Sequence, residues 1–417
     1  MKVLVVGGGG REHAICYALQ KSPKIKELYC VPGNAGIEEL ATCVPIQATD
    51  LDKVVAFSQK EAFDLVFVAP DDPLAMGLVD RLQAVGIRTF GPRANAAIIE
   101  ASKAFSKDLM KRYAIPTASY EVFEEKEKAL TYLHSYPSFP VVIKADGLAL
   151  GKGVIIAENL SAAKKAVISM MEDEAFGSAG KTVVIEEFLQ GPELTVLAFT
   201  DGTTVRPMIS SRDHKRALDH DKGKNTGGMG AVTPGAFLTP EEEKHMMDTI
   251  FLPTIQALQK ENRPFVGVIY FGIMLTENGP KIIEYNARFG DPETQAILPR
   301  LETDFLTIID ACIDGTLSDL EIKWKDVFSC CVVMASGGYP EKYNTGYVIS
   351  GLDDAENLVF HAGTKRKNNQ IVTAGGRVLA VYGEGTSLED AIEKAYDGVG
   401  KISFQNAHYR KDIGRTV

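Results

Sequence analysis

Residues 281–294 read Lys-Ile-Ile-Glu-Tyr-Asn-Ala-Arg-Phe-Gly-Asp-Pro-Glu-Thr, a pattern that predicts a β-strand with polar chemistry on one face. Glu284, Asn286 and Arg288 are spaced two apart, so a strand would point all three side chains to the same side. A carboxylate beside an amide oxygen suits Mg²⁺, a hard cation that keeps its other coordination positions for water and nucleotide phosphates. Arg288 would neutralise the same phosphates. An ordinary half-exposed strand fits this segment equally well, so other segments must decide.

Length and composition set the class of protein. A chain of 417 residues exceeds what one hydrophobic core usually serves, which indicates roughly two to four domains. The chain is 45% hydrophobic and 24% charged, as soluble proteins are, and no apolar run approaches the roughly 20 residues that span a bilayer. The first residues, Met-Lys-Val-Leu-Val-Val-Gly, lack the pattern of a secretory leader. We therefore expect a cytoplasmic protein without a membrane segment.

The cysteines and the net charge exclude other classes. The six cysteines, at positions 16, 30, 43, 312, 330 and 331, show neither metal-binding spacing nor a disulfide framework. A formal charge of −10 without a basic stripe argues against a nucleic-acid partner. A local basic pocket for one small phosphorylated ligand remains compatible with this charge.

The first 101 residues alternate apolar strands with helical segments, which predicts a parallel, Rossmann-like sheet. The strands are expected at Val3 to Val6, Leu28 to Val31, Leu65 to Ala69 and Ile87 to Phe90. Ligands of such sheets lie beyond the carboxyl ends of the strands. Three of those ends carry turns, at residues 7–10, 32–36 and 70–73, so we expect one crevice between the turns.

The four glycines at 7–10 do not complete the fingerprint of a dinucleotide-binding turn. Glu12, or His13 in the shifted frame, occupies the position of the third glycine. The second strand ends in Cys30-Val31-Pro32, without an acidic residue for an adenosine ribose. NAD is therefore disfavoured. The turn still leads into a helix from Arg11, whose free N–H groups favour a phosphate or another anion, although a purely structural turn fits too.

A helix from about residue 102 to Ile115-Pro116 marks the predicted start of a second domain. A helix at 124–135 and the strands Pro140 to Ala145 and Val154 to Ala157 follow. The glycine loop at residues 146–153 joins these two strands and could fold over phosphates, with Lys144 and Lys152 supplying charge. It is not a Walker loop, because three residues rather than four separate Gly147 from Gly151. An ordinary hairpin turn fits the same residues.

Two later segments suggest nucleotide and substrate contacts. The strand Thr182 to Leu189 leads to Glu193, and its backbone could read an adenine edge while Glu193 accepts from a ribose hydroxyl. Solvent-facing acids are the alternative. Residues 211–230 form a polar, glycine-rich stretch for which we expect a long irregular connection, usually functional when it occurs in a compact domain.

Several motifs in order along the chain support a family resemblance. They are Gly-Gly-Arg-Glu-His-Ala at 9–14, Gly-Asn-Ala-Gly at 33–36, Val-Ile-Lys-Ala-Asp-Gly-Leu-Ala at 142–149, Asp-His-Lys-Arg at 213–216, Asn-Thr-Gly-Gly-Met-Gly-Ala at 225–231, Arg-Phe-Gly-Asp-Pro-Glu at 288–293 and Arg-Lys-Asp-Ile-Gly at 410–414. With these motifs the chain resembles the ATP-grasp ligases and, among them, the phosphoribosylamine–glycine ligase family. The resemblance spans nearly the whole sequence.

The resemblance implies an α/β and α+β multidomain fold. It consists of an N-terminal parallel α/β substrate-binding domain (1–101), an ATP-grasp core (102–322) with a mobile lid at about 121–189, and a small C-terminal α+β domain (323–417) without a catalytic set of its own. It also implies ligation of glycine to 5-phosphoribosylamine in de novo purine synthesis, with ATP as cosubstrate and Mg²⁺ or Mn²⁺ as metal. The expected protein is a monomer or homodimer. Glycine would first become glycyl phosphate, since a free carboxylate is a poor acyl donor.

Roles carry over from the family by position. The metal ligands are Glu284 and Asn286. The nucleotide side comprises Lys103, Lys144, Gly147, Gly151, Glu186, Glu187, Phe188, Leu189, Glu193 and Arg288. The phosphoribosylamine side comprises Gly9, Gly10, Asn34 and Asp71. The glycine and acyl-phosphate side comprises Asp213, Lys215, Asn225, Gly227, Asp291 and Glu293. Arg288, Lys144, Asp213 and Asn225 are the expected catalytic residues.

Three other functions fit parts of the pattern. Another ATP-grasp ligase or carboxylase would keep Lys144 and the Glu284/Asn286 pair but act on a different acid or amine. An NAD-dependent oxidoreductase rests on residues 7–10 alone. A nucleotide sensor would bind ATP without turnover. Leu150, Arg212 and Lys224 depart from the usual family residues, but none of them replaces an expected metal ligand or phosphate-binding lysine.

Overall fold

The N-terminal segment forms the predicted parallel sheet. A computed structural model of the chain describes residues 1–148, 153–172 and 180–415. The elements of this segment are β1 (Lys2–Gly7), α1 (Gly10–Gln20), β2 (Glu27–Pro32), β3 (Thr42–Cys43), α2 (Leu51–Glu61), β4 (Leu65–Val68), α3 (Asp71–Ala75), α4 (Leu78–Ala84), β5 (Thr89–Phe90) and α5 (Ala94–Ala101). The strand order is β3-β2-β1-β4-β5, and every pair is parallel. The two-residue β3 is too short for a sequence pattern to reveal.

The order of these strands places the predicted turns together. Strands β2, β1 and β4 are neighbours, so the turns that follow them lie at one edge of the sheet. The first two turns touch, because a Cβ added to Gly8 would lie 2.6 Å from the carbonyl oxygen of Gly33. Side chains Val3 to Val6 of β1 are fully buried, as expected for a strand covered on both faces.

Residues 102–189 form a separate antiparallel layer. Its elements are α6 (Lys103–Arg112), β6 (Tyr120–Phe123), α7 (Lys126–His134), β7 (Val141–Ala145), β8 (Val154–Ala157), α8 (Leu160–Met171) and β9 (Val183–Glu187). The sheet order is β6-β9-β7-β8. Helices α7 and α8 share an apolar cluster with the sheet, in which Leu133, Val167 and Ile143 are buried. The sheet and helices α7 and α8 therefore have a core of their own, whereas Leu109 and Met110 of α6 belong to the core of the main sheet, which the third segment forms.

The third segment contains the long strands that carry the central polar residues. Its elements are β10 (Glu193–Asp201), β11 (Val205–Pro207), β12 (Arg212–Asp213), β13 (Arg216–Leu218), β14 (Lys222–Asn225), β15 (Gly230–Thr233), α9 (Pro240–Met246), α10 (Leu252–Lys260), β16 (Val266–Thr276), β17 (Gly279–Asn286), α11 (Glu293–Ile297) and α12 (Phe305–Asp314). The main sheet has the order β11-β10-β16-β17. The prediction of an irregular connection at 211–230 is wrong, since short strands occupy much of this stretch.

The C-terminal sheet combines strands from two parts of the chain. The remaining elements are β18 (Phe328–Ser336), β19 (Val359–His361), β20 (Thr364–Lys367), β21 (Gln370–Thr373), β22 (Arg377–Gly385), α13 (Leu388–Lys401) and β23 (Ala407–His408). The sheet order is β12-β15-β18-β22-β19, and β23 also pairs with β18. Strands β12 and β15 therefore precede the expected domain boundary at 322/323 but pair within the sheet formed by the residues that follow it. Pairing over such a sequence separation leaves no local pattern.

No helix among the described residues is both long and apolar enough to cross a membrane.

An aromatic cluster ties the N-terminal segment to the main sheet. The ring of Phe289, which directly follows Arg288, lies 6.3 Å from the ring of Phe67 on β4 and 6.1 Å from that of Phe199 on β10. Phe305 of α12 completes the cluster at 6.0 Å from Phe289. All four rings are buried. The cluster fixes the position of Arg288 against both segments.

Replacing Phe289 with alanine should destabilise the protein by about 3–5 kcal/mol, because the cavity would open where segments meet. Urea unfolding followed by tryptophan fluorescence and circular dichroism would measure the shift in midpoint. Phe237→Ala is the matched control, since Phe237 is 80% exposed and should change stability little. Equal shifts for both variants would contradict the assignment of the cluster as a core.

Candidate active site

Strand β17 presents the expected metal ligands beside a β-bulge. Ile282 pairs with Ile273, whereas Glu284 pairs with Gly272, so Ile283 is the extra residue of the bulge. Tyr285 and Ala287 are buried, while Glu284 and Asn286 are partly exposed on the other side. A side chain at position 272 would crowd Glu284, because a Cβ at Gly272 would lie 3.0 Å from Glu284 Cγ.

Arg288 does not belong to the strand as expected, since β17 ends at Asn286. Its guanidinium lies between two carboxylates, 2.8 Å from Glu100 Oε1 and 3.8 Å from Asp71 Oδ2. The other oxygen of Glu100 accepts the backbone N–H of Ala287 at 2.7 Å. Burial raises the pKa of Glu100 to about 6 despite the nearby Arg288 charge. Burial would likewise raise the pKa of Asp71, but Arg288 and Arg11 hold it below its ordinary value.

The lysines form a buried cluster with Glu186. Lys144 Nζ and Lys107 Nζ each lie 3.0 Å from Glu186 Oε2, and all three side chains are nearly inaccessible to solvent. Lys144 also donates to the carbonyl oxygen of Ile283 at 3.0 Å. Sequence reasoning missed Lys107, although it follows Lys103 by one helical turn. Burial lowers the pKa of Lys107 to about 8, against the attraction of Glu186.

Lys103 approaches the start of the glycine loop. Its Nζ donates to the carbonyl oxygen of Gly147 at 3.0 Å. Burial lowers the pKa of Lys103, and the neighbouring charge of Lys144 acts in the same direction, while Glu284 opposes both. Gly151, predicted to contact the nucleotide, lies outside the described residues, as do Leu150 and Lys152.

The expected adenine segment lies where β9 ends. Glu187 Oε2 accepts from the backbone N–H of Ser119 at 3.2 Å and from its hydroxyl at 3.1 Å. Phe188 is half-buried, and Leu189 packs with Ala118 and Met274 in a small apolar cluster. Glu186, in contrast, points its carboxylate into the lysine cluster.

Lys215 connects the expected nucleotide side with the expected acid-substrate side. Its Nζ lies 3.3 Å from Glu193 Oε2 and 3.5 Å from Glu284 Oε1. Burial would lower the pKa of Lys215, but Glu193, Glu284 and Asp213 together raise it. Burial would raise the pKa of Glu284, yet the lysines Lys215, Lys144 and Lys103 keep it below its ordinary value. Glu284 is therefore a carboxylate at neutral pH.

Asp213, which is half-buried, and Glu293, which is buried, are carboxyl groups near Lys215. Burial raises the pKa of Asp213 to about 8, and Glu293 and Glu193 add to the effect while Lys215 opposes it. Burial also raises the pKa of Glu293. Tyr270, which lies opposite Asn286 in the strand pair, interacts with both acids and hydrogen-bonds Thr195 Oγ1 at 3.0 Å. No sequence motif singled out Tyr270.

The turn after β1 has carboxylates where an anion was expected. Gly9 N–H donates to Glu12 Oε2 at 2.6 Å, and Arg11 N–H donates to Asp291 Oδ2 at 3.2 Å. These contacts satisfy donors at the start of α1, which begins at Gly10. A phosphate at this helix end would compete with these two acids for the N–H groups of Gly9 and Arg11.

Asp291 is also held by an arginine that the sequence did not indicate. Arg377 Nη1 lies 3.2 Å from Asp291 Oδ1 and donates to the carbonyl oxygens of Asp291 and Gly227 at 2.7 and 2.8 Å. Gly227 in turn donates its N–H to the hydroxyl of Tyr339 at 3.0 Å. The C-terminal segment therefore contributes side chains that hold two expected substrate loops.

The side chain of Asn34 bridges the N- and C-terminal segments. Its amide nitrogen donates to the carbonyl oxygens of Gly8 at 3.0 Å and His361 at 2.8 Å, and its oxygen accepts from the N–H groups of Gly36 and Ile37, each at 3.0 Å. All four hydrogen-bonding positions of the amide are therefore used within the protein. A substrate contact by Asn34 would need its backbone or the loss of one of these bonds.

Two buried histidines lie beside Asn34. The backbone N–H of His361 donates to His13 Nδ1 at 2.8 Å. Burial, with repulsion from His361, lowers the pKa of His13 to about 3, and burial with the charge of Arg366 lowers that of His361 to about 4. Both rings are therefore neutral in the folded protein near pH 7.

The junction of α1 and β19 should weaken as the pH falls below about 6.5. Both folded-state pKa values are depressed, so the unfolded chain binds protons first and stability falls with falling pH. At pH 5 each histidine should cost about 2 kcal/mol. Urea midpoints at pH 7.5 and pH 5 would measure this loss. His13→Asn, whose side-chain oxygen can replace Nδ1, should flatten the dependence, and the exposed His134→Asn should not. A pH dependence equal in all three proteins would contradict the prediction.

Comparisons with known proteins give the family of the chain. Models of phosphoribosylglycinamide synthetase match along the chain: the N domain at residues 1–100, the ATP-grasp (A) domain at 101–294 and the C domain at 329–416. Phosphoribosylamine–glycine ligase of Halalkalibacterium halodurans is 47% identical over 416 residues, which cover 99% of this chain and 96% of the relative. The namesake from Clostridium acetobutylicum is 44% identical, with both chains fully covered.

A solved structure extends the likeness to three dimensions. The crystal structure of phosphoribosylamine–glycine ligase from Thermotoga maritima has a TM-score of 0.88 and 34% identity, and the match covers 99% of this chain and all of that one. The N-terminal sheet is thus the N domain of a ligase family and not the cofactor domain of an oxidoreductase. The chain belongs to the phosphoribosylglycinamide synthetase family.

Proposed function

We propose that this protein joins glycine to 5-phosphoribosylamine at the expense of ATP, in de novo purine biosynthesis. The products are glycinamide ribonucleotide, ADP and phosphate. The relatives with this activity in their names match the chain from end to end. The observation that carries the proposal is Lys215, whose ammonium lies between Glu193 on the nucleotide side and Glu284 on the metal side, two residues from Asp213.

The reaction needs two transfers. A carboxylate oxygen of glycine attacks the γ-phosphorus of ATP, and the bond to the bridging oxygen of ADP breaks. The amine of phosphoribosylamine then attacks the carbonyl carbon of glycyl phosphate, phosphate leaves, and the amine loses a proton. Both steps depend on positioning and charge neutralisation more than on a protein nucleophile. This agrees with a site built from lysines, arginines and carboxylates.

The nucleotide would bind between the main sheet and the antiparallel layer of β6 to β9 with α7 and α8, which we call the lid layer. Lys144 has three N–H donors, of which Glu186 and Ile283 take two, so one remains for a phosphate. Lys103 and the glycine loop with Gly147 and Gly151 would hold the other phosphates, and Arg288 would meet charge that develops during transfer. The backbone of Glu186 to Leu189 would contact adenine, and Glu193 the ribose.

A divalent cation fits the oxygen donors of Glu284 and Asn286. Among the described residues no group of three or more His, Cys, Asp or Glu side chains could hold a metal. Two protein oxygens suit a cation that shares its coordination with nucleotide phosphates, as Mg²⁺ and Mn²⁺ do. Such a cation would neutralise phosphate charge during transfer.

The two substrates would meet at the edge of the N-terminal sheet. Phosphoribosylamine would bind at the turns that carry Gly9, Gly10, Asn34 and Asp71. Glycine and its acyl phosphate would contact the larger set formed by Asp213, Lys215, Asn225, Gly227, Asp291 and Glu293. Three domains would share these tasks, at residues 1–101, 102–322 and 323–417. Closure of a lid at about residues 121–189 would protect glycyl phosphate from water. The protein would act in the cytoplasm as a monomer or homodimer.

The proposal is tested by ADP release from the purified protein with Mg²⁺-ATP, glycine and freshly generated phosphoribosylamine, omitting each in turn. Dependence on all three, with a product of the mass of glycinamide ribonucleotide, is the expected result. ATP turnover that ignores glycine or phosphoribosylamine would move the assignment to another acid or amine. Binding of ATP without any turnover would indicate a sensor.

Glu284→Gln should lower turnover roughly 100-fold or more, because the metal loses a charged ligand that contributes several kcal/mol of charge stabilisation. The affinity for Mn²⁺ in the presence of ATP should fall as well. Glu277→Gln is the matched control, since Glu277 is exposed at the turn between β16 and β17. Unchanged Mn²⁺ affinity in a folded Glu284→Gln protein would contradict the metal assignment.

A further inference from the structure

The C-terminal tail, residues 408–414, holds the hairpin that carries Lys215 and Asn225. We propose that this tail is a positioning element for the acid substrate, with Arg410 as its central residue. The inference deepens the proposed function and rests on it where it names glycine. The contact between tail and hairpin is a separate claim that stands on geometry alone.

The hairpin itself has little support. Strands β13 and β14 pair only with each other among the described strands. An isolated two-stranded hairpin is marginally stable in water. Lys215 and Asn225 lie at its open end, where Thr226 closes the base by donating its N–H and its hydroxyl to the carbonyl oxygen of Lys215 at 2.7 and 2.8 Å. The tip needs a second source of order.

The tip of the hairpin lies against the tail. His220 and Asp221 have φ values of 58° and 51°, in the left-handed region that His and Asp enter more readily than most residues and that hairpin turns often use. Both residues contact the tail. His220 donates its N–H to Asp412 Oδ2 at 2.8 Å, and Asp221 Oδ1 accepts from Arg410 Nη1 at 2.7 Å.

Arg410 is the centre of these contacts and is fully buried. Its Nε and Nη2 donate to the two oxygens of Asp412, each at 2.8 Å. Its Nη1 reaches the hairpin twice, at Asp221 and at the carbonyl oxygen of Arg216, 3.2 Å away. A planar guanidinium satisfies these directions at once, whereas a lysine ammonium cannot.

Further hydrogen bonds connect other residues of the tail to the hairpin and its flanks. Lys411 N–H donates to Asp219 Oδ1 at 2.8 Å, and His408 Nε2 lies 2.7 Å from the carbonyl oxygen of Ala217. Gly414 N–H donates to His214 Nε2 at 3.2 Å. Because His214 stands between Asp213 and Lys215, the tail contacts both the hairpin and the residue next to these two expected substrate residues.

The tail is in turn fixed to the C-terminal helix. The hydroxyl of Tyr396, on α13, donates to the carbonyl oxygen of Arg410 at 2.7 Å and accepts from Ile413 N–H at 3.0 Å. Tail and hairpin are therefore ordered against a packed element. Loss of the hydrogen bonds that the Arg410 guanidinium fork donates to Asp412, Asp221 and Arg216 should leave the overall fold in place and loosen the hairpin.

The first test is hydrogen exchange of the hairpin amides, residues 215–226, which does not depend on catalysis. Arg410→Lys keeps the charge but loses the fork, and should accelerate exchange roughly tenfold or more, because the hairpin then opens more often. Lys411→Ala is the matched control in the same tail, since the exposed Lys411 side chain makes none of these contacts. Should Arg410→Lys fail to fold, Asp221→Asn, which removes a charge that is 59% exposed, replaces it. Equal exchange in variant and control would overturn the contact.

The second test separates positioning from stability. In Arg410→Lys the KM for glycine should rise roughly 10- to 100-fold, since small misplacements of binding groups have effects of this size, with the KM for ATP nearly unchanged and more ADP released per product formed. Equal changes in all KM values, or a change in thermal midpoint alone, would overturn the positioning role. If the unaltered protein does not use glycine at all, the proposed function fails, and hydrogen exchange still decides whether the tail orders the hairpin.

Discussion

The strand β17 (Gly279–Asn286) buries apolar side chains in the core and presents polar side chains to the site. The rest of the site depends on how one strand does both. Ile282 and Tyr285 are buried, although a regular strand would point them to opposite faces. The bulge at Ile283 resolves this conflict by changing the phase of the strand. Glu284 and Asn286 thereby reach the open side, and the carbonyl oxygen of Ile283 becomes the acceptor for Lys144.

Charge compensation is the second constraint. Charged groups of the site occur in triplets, in which one charged group lies between two groups of opposite charge. These triplets are Lys215 with Glu193 and Glu284, Arg288 with Glu100 and Asp71, and Glu186 with Lys107 and Lys144. An unpaired buried charge is strongly destabilising, so the pairing matters most in the triplet of Glu186, Lys107 and Lys144, which are buried, and least for the exposed Glu193. A phosphate at this site would meet cations that already have partners.

The C-terminal segment contacts the expected site through side chains that hold its loops. Its sheet includes β12 and β15 from the middle of the chain, so Asp213 lies within the sheet and the loop that carries Gly227 leads into it. Arg377 holds the Gly227 and Asp291 loops together, and Asn34 and His13 attach the first turns of the N-terminal sheet to β19. Loops from distant parts of the chain thus share one scaffold.

The sequence by itself determined the parallel N-terminal sheet, most strands of the lid layer and the polar face of Glu284 and Asn286, because alternation and turn residues act locally along the chain. It also indicated the family, since the motifs occur in one order. Only the tertiary structure decided which groups meet. Lys107, Glu100, Tyr270 and Arg377 carry no local signal, yet each contacts or faces a residue of the expected site. The physical reason is that strand pairing and buried ion pairs join residues far apart in sequence, and their partners follow from packing and charge balance in three dimensions.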